Sequence, residues 1–401
     1  MGVKSGPRFA SLTAIKARTS EATKIHLARI KGGSPWRYRE VVKVIVVGAG
    51  VAGLTAGYLL DQSGVEFEVL EARSEYGGRI RKLEGFADFP LDLGAEWIHR
   101  WISARPPIFG DLLKGDDPHF PTFQEHLKTV SQWKGEKLRT RNWWRYIPKP
   151  TDLKFVDSTW FDALDRLITP GVSEHLHLDT PVTSIDYSAN GVSVLTLQGE
   201  KFEADRVLVT TPISMLQRGD IHFNPDLPKR KRQEIMKERM PGGLKVFLRF
   251  SQRFYPDLTY VGGFLQGGVL NECGYYNVAL GKNSVCNVLG LFTQGAKAER
   301  YTAQSTEEDL LNYVLSELDS MFDGKASRLY EDHVIHNWTR EPYIHGSYSQ
   351  RKASAKKLAE PVAGKVFFAG EAMNVDGKTI AVHGASASAY AAVDAMCRPA
   401  A

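Results

Sequence analysis

The order of apolar and polar positions predicts alternating strands and helices from residue 41 onward. A near-continuous run of β-branched apolar residues over 41–47, with Lys43 as the one polar member, predicts a strand buried on both faces, because such strands lack polar alternation. Helical composition follows over 52–63, and Gly64 stands where a left-handed helix cap belongs. Residues 65–70 predict a second strand. This order of strand, helix and strand is typical of a parallel sheet in an α/β fold.

Periodicity also predicts strands and helices in the rest of the chain. Two alternating runs flank Asn190-Gly191, which is a strong signal for a β-hairpin. Alternation over 241–250 predicts another strand. Residues 306–322 predict a helix with acids in its first turn. A run of small residues that begins near Val382 predicts a last helix that can approach a cofactor or a sheet closely.

Three glycines at the end of the first strand predict a dinucleotide site. Gly48, Gly50 and Gly53 have the spacing G-x-G-x-x-G, which allows a tight turn, an approaching pyrophosphate and close packing of helix on strand. Glu71 follows at the end of the second strand, where the motif places a carboxylate for ribose hydroxyls. The alternative is a glycine-rich turn that binds nothing. Strand, glycines, helix, strand and acid in this order favour the dinucleotide site.

A second glycine turn follows at Gly77-Gly78-Arg79. Two adjacent glycines allow another backbone approach to phosphate, and the guanidinium of Arg79 offers a planar pair of donors. Nicotinamide dehydrogenases carry no such turn. The pair of turns resembles the FAD site of the flavin-dependent amine oxidase family, and this resemblance implies FAD rather than a nicotinamide cofactor.

Composition excludes several classes of protein. The chain has 401 residues, 43% of them apolar and 24% charged, with a net charge of +5. The charge is spread along the chain, which argues against a nucleic-acid partner, and the basic run 229–232 is expected to be a solvated helix face. Three cysteines without metal or redox spacing indicate free thiols in a reducing compartment, and no metal site is expected. No apolar run approaches the roughly 18 residues that a membrane span requires.

Residues 1–38 are basic and poor in acids. This composition fits either an organelle transit peptide or a disordered extension. We expect a cytoplasmic protein, with organelle import as the alternative.

Five stretches together resemble the flavin-dependent amine oxidase family. Besides the two glycine turns, they are L-G-A-E-W-I-H at 93–99, the segment 337–349 with its G-S-Y-S ending, and F-A-G-E at 368–371. The resemblance covers residues from about 41 to 397 and is strongest at both ends. It implies FAD as a non-covalent cofactor, because Ser347 stands where monoamine oxidases place the cysteine that bonds to the flavin.

The resemblance implies a set of cofactor contacts. They are Gly48, Gly50, Ala52, Gly53, Glu71, Ala72, Arg73, Gly77, Gly78, Arg79, Gly94, Ala95, Glu96, Trp97, Val182, Thr210, Pro212, Trp338, Tyr343, Gly370, Glu371, Ala381 and Val382.

The resemblance also implies a reaction. In the family, a hydride passes from the α-carbon of an amine to flavin N5, water hydrolyses the imine to an aldehyde, and dioxygen takes the electrons to give hydrogen peroxide. The residues implied to take part are Lys245, Tyr348, Trp338, His99 and Glu96. Lys245 would hold a water against flavin N5. Taken alone, a lysine on such a strand is more typical of an edge strand, where it limits aggregation.

The aromatic cage around the substrate nitrogen is implied to be half built. Tyr348 would form one wall, whereas Ala381 stands where mono- and polyamine oxidases usually place a second tyrosine. The L-G-A-E-W-I-H stretch and four acids favour a polyamine substrate; the acids are Glu96, Asp111, Asp116 and Asp117.

Other functions stay open. Primary monoamines fit an aromatic cavity, and an L-amino acid would need an arginine where the chain has Trp97, unless Arg100 or Arg105 substitutes for it. A flavin desaturase or isomerase, or an inactive FAD-binding protein, shares the cofactor motifs.

The predicted fold is α/β, with a Rossmann-like FAD-binding domain and an interleaved α+β substrate domain of mixed sheet and helices. The FAD-binding domain is predicted to combine 41–100, 165–242 and 358–398. The substrate domain is predicted to combine 101–164 and 243–357, after a basic extension at 1–40. The expected partners are an amine and dioxygen, and no oligomeric state is predicted.

Overall fold

The computed structural model describes residues 43–100, 106–141, 152–262, 273–375 and 381–397. The chain divides into two units, Met1–Arg39 and Glu40–Ala401, and every described residue belongs to the second unit. The predicted basic extension at 1–40 lies outside the described residues.

A five-stranded parallel sheet carries the predicted glycine turn. Its strands run in the order β20, β13, β1, β2 and β9. They span Lys43–Val47 (β1), Glu66–Leu70 (β2), Leu176–His177 (β9), Arg206–Val209 (β13) and Val366–Phe368 (β20). Val44, Ile45 and Val46 are fully buried, as the apolar run of β1 predicts. Two strands from distant parts of the chain, β13 and β20, complete the sheet beside it.

Two helices made largely of small residues pack together beside this sheet. They are α1 (Val51–Ser63) and α10 (Val382–Cys397). Thr55 Oγ1 donates a hydrogen bond to Ser386 Oγ at 3.1 Å, which joins the two helices in the core. Gly64 ends α1 with φ of 68°, as predicted, and its N–H donates to the carbonyl of Asp61.

A four-stranded sheet follows in the order β12, β11, β10 and β14. Its strands span Val182–Asp186 (β10), Val192–Thr196 (β11), Lys201–Ala204 (β12) and His222–Asn224 (β14). Strands β10 and β11 are antiparallel on either side of Asn190-Gly191, so the predicted hairpin is confirmed. The sheet brings Val182 to the rim of the cavity described below.

A seven-stranded mixed sheet forms the second half of the fold, in the order β19, β15, β18, β17, β16, β6 and β7. The strands span Val130–Trp133 (β6), Leu138–Arg141 (β7), Gly243–Phe250 (β15), Leu258–Val261 (β16), Cys273–Asn277 (β17), Asn287–Gln294 (β18) and Tyr330–Asn337 (β19). Lys245 therefore lies on an internal strand, paired on both sides, and it is 2% exposed. The interpretation of Lys245 as an edge-strand lysine is wrong.

The remaining elements connect these sheets. The helices are Gly110–Lys114 (α2), Trp160–Leu167 (α3), Ile213–Arg218 (α4), Lys229–Lys237 (α5), Ala296–Thr302 (α6), Glu307–Phe322 (α7), Lys325–Leu329 (α8) and Ala355–Ala359 (α9). The short strands are Lys82–Leu83 (β3), Leu91–Asp92 (β4), Thr122–Gln124 (β5) and Leu153–Phe155 (β8). Thr306 caps α7 through a capping box with Asp309, which confirms the predicted helix start. Within the described ranges, no helix is long and apolar enough to cross a membrane.

Candidate active site

One cavity of about 960 Å³ collects the predicted site residues from both halves of the sequence. It opens where β1, β2 and β13 end, which is where parallel α/β sheets bind ligands. Every residue predicted above to contact FAD, with the exception of Gly53, lines this cavity, and so does every residue predicted to take part in the reaction. Their individual roles stay predictions.

The glycine turn after β1 has the geometry of a phosphate cradle. Gly48 has φ of +102°, a conformation that L-residues rarely adopt. A Cβ on Gly53 would lie 1.8 Å from the carbonyl oxygen of Gly48, so this glycine allows the close packing of α1 on the turn. A Cβ on Gly50 would meet no atom closer than 4.0 Å, which leaves its face open to a ligand. No side chain caps the start of α1, and its first N–H groups are available to an anion.

Glu71 holds the turn from the end of β2. Its carboxylate accepts the N–H of Ala49 at 2.7 Å and the N–H of Arg73 at 3.1 Å. Burial opposes the charged form and raises the pKa of Glu71, although both N–H groups and the charge of Arg73 act in the opposite direction. The carboxylate thus fixes the cradle and faces the cavity where a ribose would lie.

The second glycine turn packs directly against the first. The N–H of Gly77 donates to the carbonyl of Ala49 at 2.8 Å, and a Cβ on Gly78 would lie 3.1 Å from the Cα of Gly50. Arg79 donates through Nη1 to the carbonyl of Ser347 at 2.7 Å and to Glu371 at 3.0 Å. This guanidinium joins the second turn to the G-S-Y-S and F-A-G-E segments.

Lys245 lies in the cavity wall with its ammonium held by two acceptors. Its Nζ donates to the carbonyl of Asp92 at 2.9 Å and to Glu96 Oε2 at 2.7 Å. An ammonium has three N–H donors, and the third has no protein partner within the described ranges. One donor of a buried cation is therefore left for a small molecule in the cavity.

Glu96 is shared between two buried lysines. Besides Lys245, the ammonium of Lys154 on β8 lies 2.7 Å from Glu96 Oε1 and 2.9 Å from Glu125 Oε1. Tyr276 donates its hydroxyl to Glu96 Oε2 at 2.6 Å. Burial opposes the charge of Glu96, but the two ammonium groups outweigh it and hold the pKa of Glu96 far below its usual value. Glu96 was predicted to reach the substrate, yet both of its oxygens already bind the chain's own donors.

The remaining predicted reaction residues lie around the same cavity. Trp338 is 5% exposed and donates its indole N–H to the carbonyl of Leu93 at 2.9 Å. Tyr348 and Ala381 also line the wall. His99 Nδ1 lies 2.8 Å from Asp152 Oδ2. The cavity wall thus combines aromatic rings with one imidazole–carboxylate pair.

Sequence reasoning misplaced some residues and missed others. Asp111, Asp116 and Asp117, which favoured a polyamine, do not line the cavity, and Asp111 instead pairs with Lys114 near the surface. Lys154 and Glu125 were not singled out. Lys154 lies on the short strand β8, and Glu125 directly follows the short strand β5, with which β8 pairs. No local motif predicts the pairing of these two strands. Their distance from Glu96 in sequence left no pattern by which to find them.

The residues present fit FAD. The uncapped start of α1 and the open face of Gly50 suit a pyrophosphate, while Glu71 suits ribose hydroxyls. The three cysteines, Cys273, Cys286 and Cys397, all lie outside the cavity lining.

Comparison with known sequences agrees with this geometry. The family described as flavin containing amine oxidoreductase matches residues 151–397, and an NAD(P)-binding Rossmann-like domain matches residues 46–113. Polyamine oxidase 5 of Oryza sativa subsp. japonica is 25% identical over 437 residues, covering 88% of this chain and 87% of the relative. Lysine-specific histone demethylase 1B of Mus musculus is 26% identical over 417 residues, covering 82% of this chain. The chain spans about half the length of that demethylase, 50%.

Solved structures share the fold. Cyclohexylamine oxidase from Brevibacterium oxydans superposes with a TM-score of 0.73 at 15% identity, covering 89% of this chain and 99% of that structure. A redesigned putrescine oxidase gives a TM-score of 0.70 at 15% identity, covering 88% and 98%. The predicted α/β fold with a Rossmann-like domain is thereby confirmed, and FAD is the cofactor that the family supports. The family match covers more than half of the chain, so this protein belongs to the flavin-containing amine oxidoreductases.

Proposed function

We propose that this protein oxidises an amine with dioxygen as the electron acceptor. In balanced form, a primary amine, dioxygen and water give an aldehyde, ammonia and hydrogen peroxide. FAD, when bound, would supply the redox chemistry by accepting two electrons and one proton, as a hydride, from the carbon beside the nitrogen.

The observation that carries the proposal is the ammonium of Lys245 in the cavity wall. It is buried, it is anchored by Glu96 and by the carbonyl of Asp92, and one N–H remains for a small molecule. A fixed cation stabilises negative charge that develops on oxygen in a low-dielectric site. We assign to Lys245 the binding of a water, and later of the oxygen species that becomes peroxide.

The aromatic residues hold and desolvate the amine. Tyr348 and Trp338 line the cavity, and an aromatic face attracts an alkylammonium before the reaction. Removing that ammonium from water lowers its pKa, so the neutral amine forms without a dedicated base. The pair of His99 and Asp152 lies on the same cavity and can accept the released proton.

The cofactor is held by backbone and carboxylate groups in this proposal. The two glycine turns would hold the pyrophosphate, and Glu71 would bind the ribose. Because Ser347 replaces a bonding cysteine and no cysteine lines the cavity, the FAD is expected to be released intact on denaturation.

The experiment is an absorption spectrum of the purified protein followed by anaerobic titration with amines. The panel is spermine, spermidine, putrescine, benzylamine, a straight-chain alkylamine and L-amino acids. At least one amine should bleach the flavin band, and air should restore the band with one peroxide per turnover. Lys245→Met should slow the restoration by air more than the bleaching, whereas Lys282→Met, a half-buried lysine bound to the carbonyls of Phe155 and Val156, should change neither.

Two other functions predict different results. A flavin desaturase or isomerase would show no bleaching by amines, and an inactive FAD-binding protein would stay yellow with every compound. Bleaching that air does not reverse would refute dioxygen as the acceptor. A polyamine substrate is suggested by the polyamine oxidase relatives and stays a prediction, which the proposal on Lys154 below opposes. An L-amino acid is disfavoured by Trp97 at the position where a carboxylate would need an arginine.

A further inference from the structure

The ammonium of Lys154 lies in a cage of the kind that binds an alkylammonium ligand. Its Nζ is 2.7 Å from Glu96 and 2.9 Å from Glu125, and it lies 4.8 Å from the ring centre of Trp97 and 4.7 Å from that of Tyr276. Two carboxylates and two aromatic faces are the groups that recognise such cations in proteins. All four cage residues also line the substrate cavity. The chain's own side chain therefore fills this ammonium site.

Every carboxylate oxygen of the cage is occupied. Glu96 Oε1 and Glu125 Oε1 contact Lys154, while Glu96 Oε2 binds Lys245 and the hydroxyl of Tyr276. Glu125 Oε2 accepts the indole N–H of Trp97 at 3.2 Å. Two carboxylates face two ammonium groups, so this wall of the cavity has no net charge to offer a further cation.

We propose that Lys154 is a specificity-determining residue that occupies the cage of Glu96, Glu125, Trp97 and Tyr276 and thereby selects amines without a second ammonium at this wall. The inference rests on the proposed amine oxidation and names its substrate class: amines with one cationic nitrogen and an uncharged remainder. A second ammonium pressed against this wall would be desolvated without a counter-charge, which strongly disfavours binding.

The test uses the FAD-loaded enzyme and matched pairs of compounds. Each α,ω-diamine of three to six carbons is compared with the n-alkylamine of the same length. Anaerobic rapid mixing gives the apparent dissociation constant and the limiting rate of flavin bleaching for each. The wild type should favour the monoamine by at least about tenfold in apparent dissociation constant at the best chain length. Equal binding or tighter binding of the diamine by the wild type would overturn the proposal.

Removal of Lys154 should open the cage. Lys154→Ala frees Glu125 and the space beside the two rings, so the preference should shift toward the diamine by about tenfold or more in binding. The limiting bleaching rates for the diamine and the monoamine should change by the same factor, which separates substrate selection from a general loss of structure. Added methylammonium should occupy the emptied cage and reverse the shift. Lys282→Ala removes a neighbouring ammonium outside the cage and should leave the selectivity unchanged.

A charge-balanced variant covers the case in which Lys154→Ala does not fold. Lys154→Ala combined with Glu125→Gln removes one charge of each sign and should fold, but it should not gain diamine binding. A gain in this double variant would show that space alone limits the wild type, and it would refute the role of the ammonium. If no amine bleaches the wild type, the proposed function fails; if amines bleach it but selectivity ignores Lys154, only this inference fails.

Discussion

Glu71→Gln tests the cofactor site most directly, because the change keeps the shape of the side chain and removes one acceptor. The wild-type carboxylate accepts the N–H of Ala49 at 2.7 Å and that of Arg73 at 3.1 Å, one on each oxygen. A glutamine has one carbonyl oxygen, so its NH₂ group must face one of these N–H donors. The glutamine variant thus loses a hydrogen bond to a charged acceptor and leaves a buried donor without a partner.

The magnitude follows from that lost bond. A hydrogen bond to a charged group contributes about 1.5–3 kcal/mol. Glu71 is 6% exposed and burial raises its pKa, so the uncharged glutamine regains part of the desolvation cost of the carboxylate. The net loss should therefore lie in the lower half of the range. Since about 1.4 kcal/mol corresponds to tenfold in affinity, FAD should bind roughly tenfold to fortyfold more weakly.

The assay is titration of the apoprotein with FAD, followed by quenching of flavin fluorescence. Glu75→Gln is the matched control, because its side chain is 65% exposed and its contact with Arg81 is 3.9 Å long. The control should bind FAD like the wild type. If Glu71→Gln binds FAD within threefold of the wild type, the carboxylate does not hold this cradle and the reasoning is refuted.

Three further perturbations probe the scaffold. Gly53→Ala places a Cβ 1.8 Å from a backbone oxygen of the glycine turn, so FAD binding should be lost and the free energy of unfolding should fall by at least about 3 kcal/mol. Lys231→Met removes the hydrogen-bond donor of three carbonyls at the end of α9. The free energy of unfolding, measured by chemical denaturation, should fall by about 2–5 kcal/mol. Burial, and then the charge of His99, lowers the pKa of His383 to about 4, so the unfolded chain binds more protons between pH 6.5 and 4. Stability should fall as pH falls through that window, by up to about 3 kcal/mol, and His383→Phe should reduce the fall in thermal-unfolding scans.

Each of these has a control within the chain. Gly64→Ala introduces strain at positive φ without a clash, so it should cost only about 1 kcal/mol and keep FAD. Lys229→Met removes an exposed lysine of the same helix and should be neutral, and a similar loss there would contradict the role of Lys231. His222→Phe removes an exposed histidine, and a matching change in its pH profile would show that His383 is not responsible.

Local patterns were enough to predict the cofactor half of the site. The strand at 41–47, the glycine turn and Glu71 are coded by neighbours in sequence, because a buried parallel strand needs a continuous apolar run and a tight turn needs glycine. The resemblance then identified the distant segments that complete the cavity. Tyr348 and Gly370 line the cavity, as expected. The predicted domain boundaries stay a prediction.

Contacts between distant parts of the chain decided which charged side chains are buried, and no local sequence pattern indicates those contacts. Lys231 lies in a basic run that predicted a solvated helix face, yet it is 6% exposed because the carbonyls at the end of α9 bind its ammonium. A side chain in a helix can turn toward solvent or toward a neighbour, and only the packing of that neighbour settles which.

The sequence by itself determined the parallel sheet, the phosphate turns and the family to which the chain belongs. Only the tertiary structure decided which groups the carboxylate of Glu96 binds. The sequence suggested a carboxylate that reaches the substrate. In the structure Glu96 instead binds Lys245, which is 149 positions away, and Lys154, which lies on a short strand that no sequence pattern predicts. Buried charges must be paired, and the pairing partner is whichever group the fold brings within about 3 Å, at any separation along the chain.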